Sequence, residues 1–451
     1  MGKMEQDAWY AGVKGKIILS RNFYEDYVQR ILSYGAIGLI HAWTSDEDIL
    51  HNETVCPVWG TAEPETACTL PGIPVVGVLC KAGEALFSRL VPGVNEGEAT
   101  IYSAVDHKCT KATFPVAELP GENDQYVLVG NHFDSWHEGV TDNATGNALA
   151  LELARILKGE KRYRGVKVAW WPAHSNGRYA GSTWYCDTHY MDLKENCVAL
   201  VNIDSPGSKG AVEVGVATSG TVSDWAADVI RKHTGQLEVD VHKLPRGSDL
   251  SFFGAEVPIQ LSFDYYQGGA DRGRWNCAGS GGGWWWRTVE DTYDKVDLSL
   301  LCRDGEIALD MVSGLMNAPI LPFDWEACVG LMEETIEAID SSSDPAFDFA
   351  PAKAAVAELK EAMASCPFLG DEEYQKVGGR LTMLLCSAAG PYHFDNTFAV
   401  GRLPGLQCVA NVKREETPDR DFLFLETKFR RQRNRFVAEM ADIVQIIRHL
   451  Q

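Results

Sequence analysis

The chain predicts an α/β protein. Short apolar runs rich in β-branched residues alternate with a segment of helical spacing, and acidic and imidazole side chains gather where those runs end. The first run, YVLV at 126–129, closes at Gly130 and reads as a buried strand. Residues 143–157 follow with Leu149, Leu153, Ile156 and Leu157 on one helical stripe. Further strands are expected over 165–171 and 199–203, the latter ending at Asp204. His132, Asp134 and Asp142 fall in the loop at the carboxyl end of the first strand, the edge where open α/β sheets collect their ligands.

A divalent metal needs deprotonated nitrogen and oxygen donors converging from several segments. His132, Asp142 and Asp204 would all project from strand ends of one sheet. One imidazole and two carboxylates suit zinc foremost, with iron, manganese or cobalt also compatible. Asp134, two residues after His132, is placed to accept the other ring N–H and fix the tautomer. Any one of these residues alone would read as a loop polar or a helix cap, and their joint placement favours a site.

On these residues the chain resembles a known family, the zinc exopeptidases that include bacterial aminopeptidases and glutamate carboxypeptidase II. The resemblance lies in HFDSW and the following DN, in WPAHS with GSTW, in NIDSPG, and in WWWRTVEDTYDKVD. It implies a phosphorylase/hydrolase-like zinc-peptidase sandwich, a mixed sheet between helices. It also implies two metals that share a bridging aspartate, and a glutamate that activates water. His132, Asp142 and Asp204 match one metal's ligands, with Asp142 as the bridge, and Asp134 matches the aspartate behind the histidine. Two departures stand out. Where the family carries adjacent glutamates, a base and a ligand, this chain has His174 and Ser175, in a segment one residue longer. Where the family's last histidine ligand precedes V-E-D-T, this chain has Arg287. The resemblance therefore points to one metal ion rather than two.

A guanidinium stays protonated and cannot ligate a cation. Arg287 is then either an ordinary arginine after an aromatic run or a fixed positive charge in the vacated position. In the latter case it is free to pair with Asp142, hold a substrate carboxylate or steady an oxyanion. His174 reads as general base, as an extra ligand, or as a structural histidine; the base or substrate-contact reading is preferred. Ser175, Arg246, Ser248 and Trp286 are expected to contact substrate. Ser248 followed by Asp249 reads equally as a helix N-cap, and the tryptophans after the glycine run read equally as packed in the core or across an interface.

A chain of 451 residues exceeds one core. Residues 1–97 carry KGKIIL, GAIGLI and GIPVVGV, which resemble a protease-associated domain; 98–322 form the catalytic-like domain; 323–451 read as helical, with dimerisation as a role the resemblance suggests. The net charge of −22 argues against nucleic acid and anionic membranes as partners. Scattered cysteines, no apolar leader and no spanning window lead to the expectation of a cytoplasmic protein with reduced thiols. The function expected is metal-dependent hydrolysis of an amide, peptide or related C–N bond in a small substrate, by a homodimer or a heteromer. The alternatives are a non-catalytic subunit paired with an active paralogue, and a single-metal acyltransferase or cyclase.

Overall fold

The structure is a computed structural model that describes residues 9–56, 60–91, 94, 97–104, 110–244, 249, 252, 254–275, 281–366, 369–393 and 401–449. Ten strands are labelled in chain order. Three of them, β1 (Ile17–Ser20), β2 (Gly38–Ala42) and β3 (Val75–Val78), form a small parallel sheet. The helix Glu25–Ser33 turns Val28 and Ile31 into a core shared with Val13, Ile18 and Leu39.

The other seven strands build the main sheet: β4 (Val116–Leu119), β5 (Tyr126–His132), β6 (Gly165–Trp171), β7 (Cys197–Asn202), β8 (Glu213–Thr218), β9 (Val241–Lys243) and β10 (Ile259–Tyr266), in spatial order β4-β6-β5-β7-β10-β8-β9. The sheet is mixed. β6, β5, β7 and β10 run parallel, whereas β4 and β8 lie antiparallel to their neighbours β6 and β10.

Every residue of β5 and of β7 is buried, as unbroken apolar runs should be when both faces are covered. The two-residue period of a strand then splits β5 between two cores. Val127 and Val129 face one, with Leu149, Leu153 and Ile307 from the helices Thr145–Leu157 and Leu298–Asn317. Tyr126 and Leu128 face the other, with Trp171, Tyr185 and Leu193. Gly130 is obligatory at the mouth of this sandwich, because a Cβ there would lie 2.6 Å from the Trp171 indole nitrogen.

The helices Trp325–Ser342, Ala350–Ser365, Asp371–Cys386 and Asp419–Arg448 follow. Their buried Ile336, Leu359, Leu381 and Met440 belong to the same core as Leu149 and Ile307, so the helical region packs as a continuation of the sandwich. No helix among the described residues is long and apolar enough to cross a membrane, and none of the ten cysteines among them is in a disulfide.

Candidate functional site

The carboxyl ends of β5, β6 and β7 lie side by side, and the loops that leave them bring the predicted donors together. His132 is the last residue of β5, and its Nε2 lies 3.0 Å from Asp142 Oδ1 and 3.5 Å from Asp204 Oδ1. Burial alone would disfavour a charged His132, but the Asp204 and Asp142 carboxylates outweigh it and hold the imidazolium well above its usual range. Asp204 is drawn the other way: His132, His174 and the Ser205 hydroxyl overcome the effect of burial and lower its carboxyl.

Asp142 is set by a buried scaffold. Asp291 accepts the backbone N–H of Thr141 and of Asp142, at 2.9 and 3.0 Å, and the Thr141 hydroxyl at 2.7 Å. The Trp285 indole donates to the same hydroxyl. Asn143 locks the ends of β5 and β7 together: its Nδ2 donates to Ile203 O at 3.0 Å, and its Oδ1 accepts from Ser205 N at 3.0 Å and Gly146 N at 3.2 Å. Asn143→Ala would leave three buried backbone groups without partners. A loss of stability on the order of 3 kcal/mol is expected, read as a shift in the urea midpoint.

The site departs from expectation at Asp134. The ring N–H on His132 Nδ1 meets the Asp134 backbone carbonyl at 2.8 Å, not its carboxylate. The carboxylate instead accepts the backbone N–H of His174 and Ser175, at 2.9 and 3.0 Å, and so anchors the loop after β6. Either way Nδ1 is occupied, which turns Nε2 towards Asp142 and Asp204.

His174 sits directly on His132, with ring centroids 3.8 Å apart and planes 11° from parallel. Its Nδ1 faces Asp249 Oδ2 at 2.5 Å, and Asp249 Oδ1 accepts the Ser182 hydroxyl. His174 and Ser182 hold the buried Asp249 carboxyl below its usual range, against the upward push of burial. His132, His174 and Asp204 each place a donor atom within 4.8 Å of the others, so the chemistry of the donor set fits a divalent ion. The stacked geometry sorts the two histidines. An imidazole lone pair lies in the ring plane, and two nearly parallel, stacked planes have no point in common nearby. The two rings therefore aim their nitrogen donors along separate planes.

Arg287 reaches this cluster from the segment after the tryptophans. Its Nε is 4.0 Å from Asp142 Oδ2, and its guanidinium lies over the Trp286 ring at 4.3 Å. Its closest partner is one that sequence reading missed: Nη1 donates to Glu53 Oε2, from the small-sheet part of the chain, at 3.0 Å. Burial works against the charge on Arg287, but Glu53 and then Asp142 restore it.

Two expected substrate contacts are buried. Trp286 is buried against Phe23 and Trp43, where the two parts of the chain meet, because its indole completes an aromatic cluster there. Ser175 is 1% exposed, drawn inward by its backbone bond to Asp134. Arg246 and Ser248 lie outside the described residues.

Tyr179 was also missed. Its ring stands edge-on to His174 at 4.8 Å, and its φ of 69° is strained for a bulky side chain. Ala173, Arg178 and Arg287 share that left-handed conformation, so backbone strain is concentrated around the cluster. A left-handed aromatic leaves no signature in a sequence.

Residues 116–312 match the model of Peptidase family M28. A 193-residue stretch is 37% identical to an aminopeptidase of Pseudomonas aeruginosa, covering 41% of this chain and 33% of that protein. A 263-residue stretch is 27% identical to a probable glutamate carboxypeptidase, VP8, of Zea mays, covering 51% and 34%. A 119-residue stretch is 31% identical to aminopeptidase NAALADL1 of Mus musculus, covering 25% and 16%. The chain thus spans about a third or less of the length of these relatives. The solved zinc aminopeptidase BSAP of Bacillus subtilis shares the fold, with a TM-score of 0.50 and 19% identity over 71% of this chain and 75% of that one.

Proposed function

We propose that the chain is a metal-dependent hydrolase of an amide, peptide or related C–N bond, working at a mononuclear site. His132, Asp142 and Asp204 would hold the ion, with zinc foremost. When bound, it supplies a Lewis acid that polarises water or a carbonyl.

The remaining steps belong to the chain's own residues. His174 takes a proton at Nε2 from attacking water and returns it to the leaving nitrogen. Asp249 keeps the Nδ1–H tautomer and orients the ring, as a carboxylate behind a catalytic imidazole does. Arg287, paired with Glu53, places its guanidinium beside Asp142, where the resemblance would have placed a second ion, and offers N–H donors to negative charge developing on the substrate. Residues 1–97 are read as a protease-associated-like domain and 323–451 as the surface for dimerisation.

The observation that carries this reading is His174, held by Asp249 and stacked out of plane on a His-Asp-Asp cluster. Elemental analysis of the purified protein tests it. About one equivalent of metal is expected. Chelation should abolish turnover of leucine p-nitroanilide, and zinc should restore it. A folded protein that binds no metal and turns over no amide would sink the proposal. It would favour a non-catalytic subunit, which co-purification with a paralogous chain would then support.

A further inference from the structure

The positive charge of Arg287 is balanced before any ligand arrives. Glu53 Oε2 takes its Nη1 at 3.0 Å, and Asp142 Oδ2 stands 4.0 Å from its Nε, so two carboxylates face one guanidinium. Both members of the closer pair are sheltered, at 9% and 16% side-chain exposure. Glu53 is held there on both sides. Next to it, Asn52 donates its backbone N–H to Arg287 O at 2.9 Å, and its side-chain amide lies 2.5 Å from His137 Nε2. Upstream, Glu47 accepts the Trp43 indole N–H at 3.0 Å and pairs with His51 Nε2 at 2.6 Å, while Trp43 stacks on His51 at 4.3 Å. The loop is thus preorganised, and placing its carboxylate costs nothing further when a ligand binds.

We infer that Glu53 is a specificity-determining residue: by neutralising Arg287 it turns away ligands that present a carboxylate or phosphate at that point, and it leaves the site to neutral amides and to groups bearing an ammonium. A free guanidinium would do the opposite, since its fork of donors captures such anions bidentately. Burial holds the Glu53 carboxyl above its usual range, with the Arg287 guanidinium and the Thr54 backbone working against that rise. The inference rests on the proposed function only in placing Arg287 within the ligand site.

Calorimetric titration of inorganic phosphate into the full, metal-loaded chain tests it. Glu53→Gln keeps a carbonyl acceptor for Nη1 but removes the charge. It should bind phosphate at least about 10-fold more tightly than the unaltered protein. The double variant Glu53→Gln/Arg287→Met should lose that gain. Equal affinity in the unaltered protein and Glu53→Gln overturns the inference, as does a gain that survives in the double variant. If Glu53→Gln does not fold, Glu53→Ser is read in the same titration with the same two outcomes. Turnover of leucine p-nitroanilide is scored separately. A phosphate shift without turnover removes only the hydrolase reading, and turnover without the shift removes only this inference.

Discussion

Replacing His174 by Gln is expected to lower kcat by about 10²- to 10⁴-fold while the protein keeps its metal. Glutamine retains hydrogen-bonding capacity towards Asp249, so the loop after β6 stays anchored through the backbone bonds of His174 and Ser175 to Asp134. What it lacks is an imidazole nitrogen to take and return a proton. The decisive readout pairs the rate with the metal content. A fall in rate with the metal retained fits a proton carrier. Loss of the metal as well would make His174 a ligand despite its stacking on His132.

The second large effect is expected at His132. His132→Ala removes the nitrogen donor and leaves Asp142 and Asp204 facing a cavity, with Arg287 as the nearby cation. Bound metal should fall from about one equivalent to none measurable at micromolar zinc, because the two carboxylates alone offer a weaker and looser set than the three donors. Turnover should vanish with it. Elemental analysis after gel filtration reads the first outcome and the p-nitroanilide assay the second. A variant that still carries its ion would place that ion somewhere other than the end of β5.

Much of this architecture was legible because it is local. The runs at 126–129 and 165–171 are apolar, short and β-branched, and they became β5 and β6. The third run was expected at 199–203 and is observed as Cys197–Asn202, so the reading was displaced by two residues at its start. The helical stripe of Leu149, Leu153 and Leu157 turns inward as its spacing demands, although the helix starts at Thr145 after an irregular turn rather than at 143.

What escaped depends on distance in sequence or on backbone direction. Glu53 lies 234 residues from Arg287, and no periodicity links them. Asp291 supports Asp142 from 149 residues away. Asp134 is two residues from His132, which sequence reading took for a carboxylate contact. The chain turns so that the backbone carbonyl meets the ring and the side chain is released to the amides of the next loop. Trp286 reads equally as a pocket wall or as an internally packed indole, and its burial with Phe23 and Trp43 follows from a contact between distant segments that composition cannot reveal.

The Glu53–Arg287 pair also bears on modularity. Excising the small-sheet region would strand a sheltered guanidinium beside Asp142, and uncompensated charges of that kind typically cost about 3–5 kcal/mol. The sandwich on its own should therefore be measurably frailer than the whole. Transplanting a foreign N-terminal module onto it would succeed only if the newcomer brought an acidic residue to the same spot.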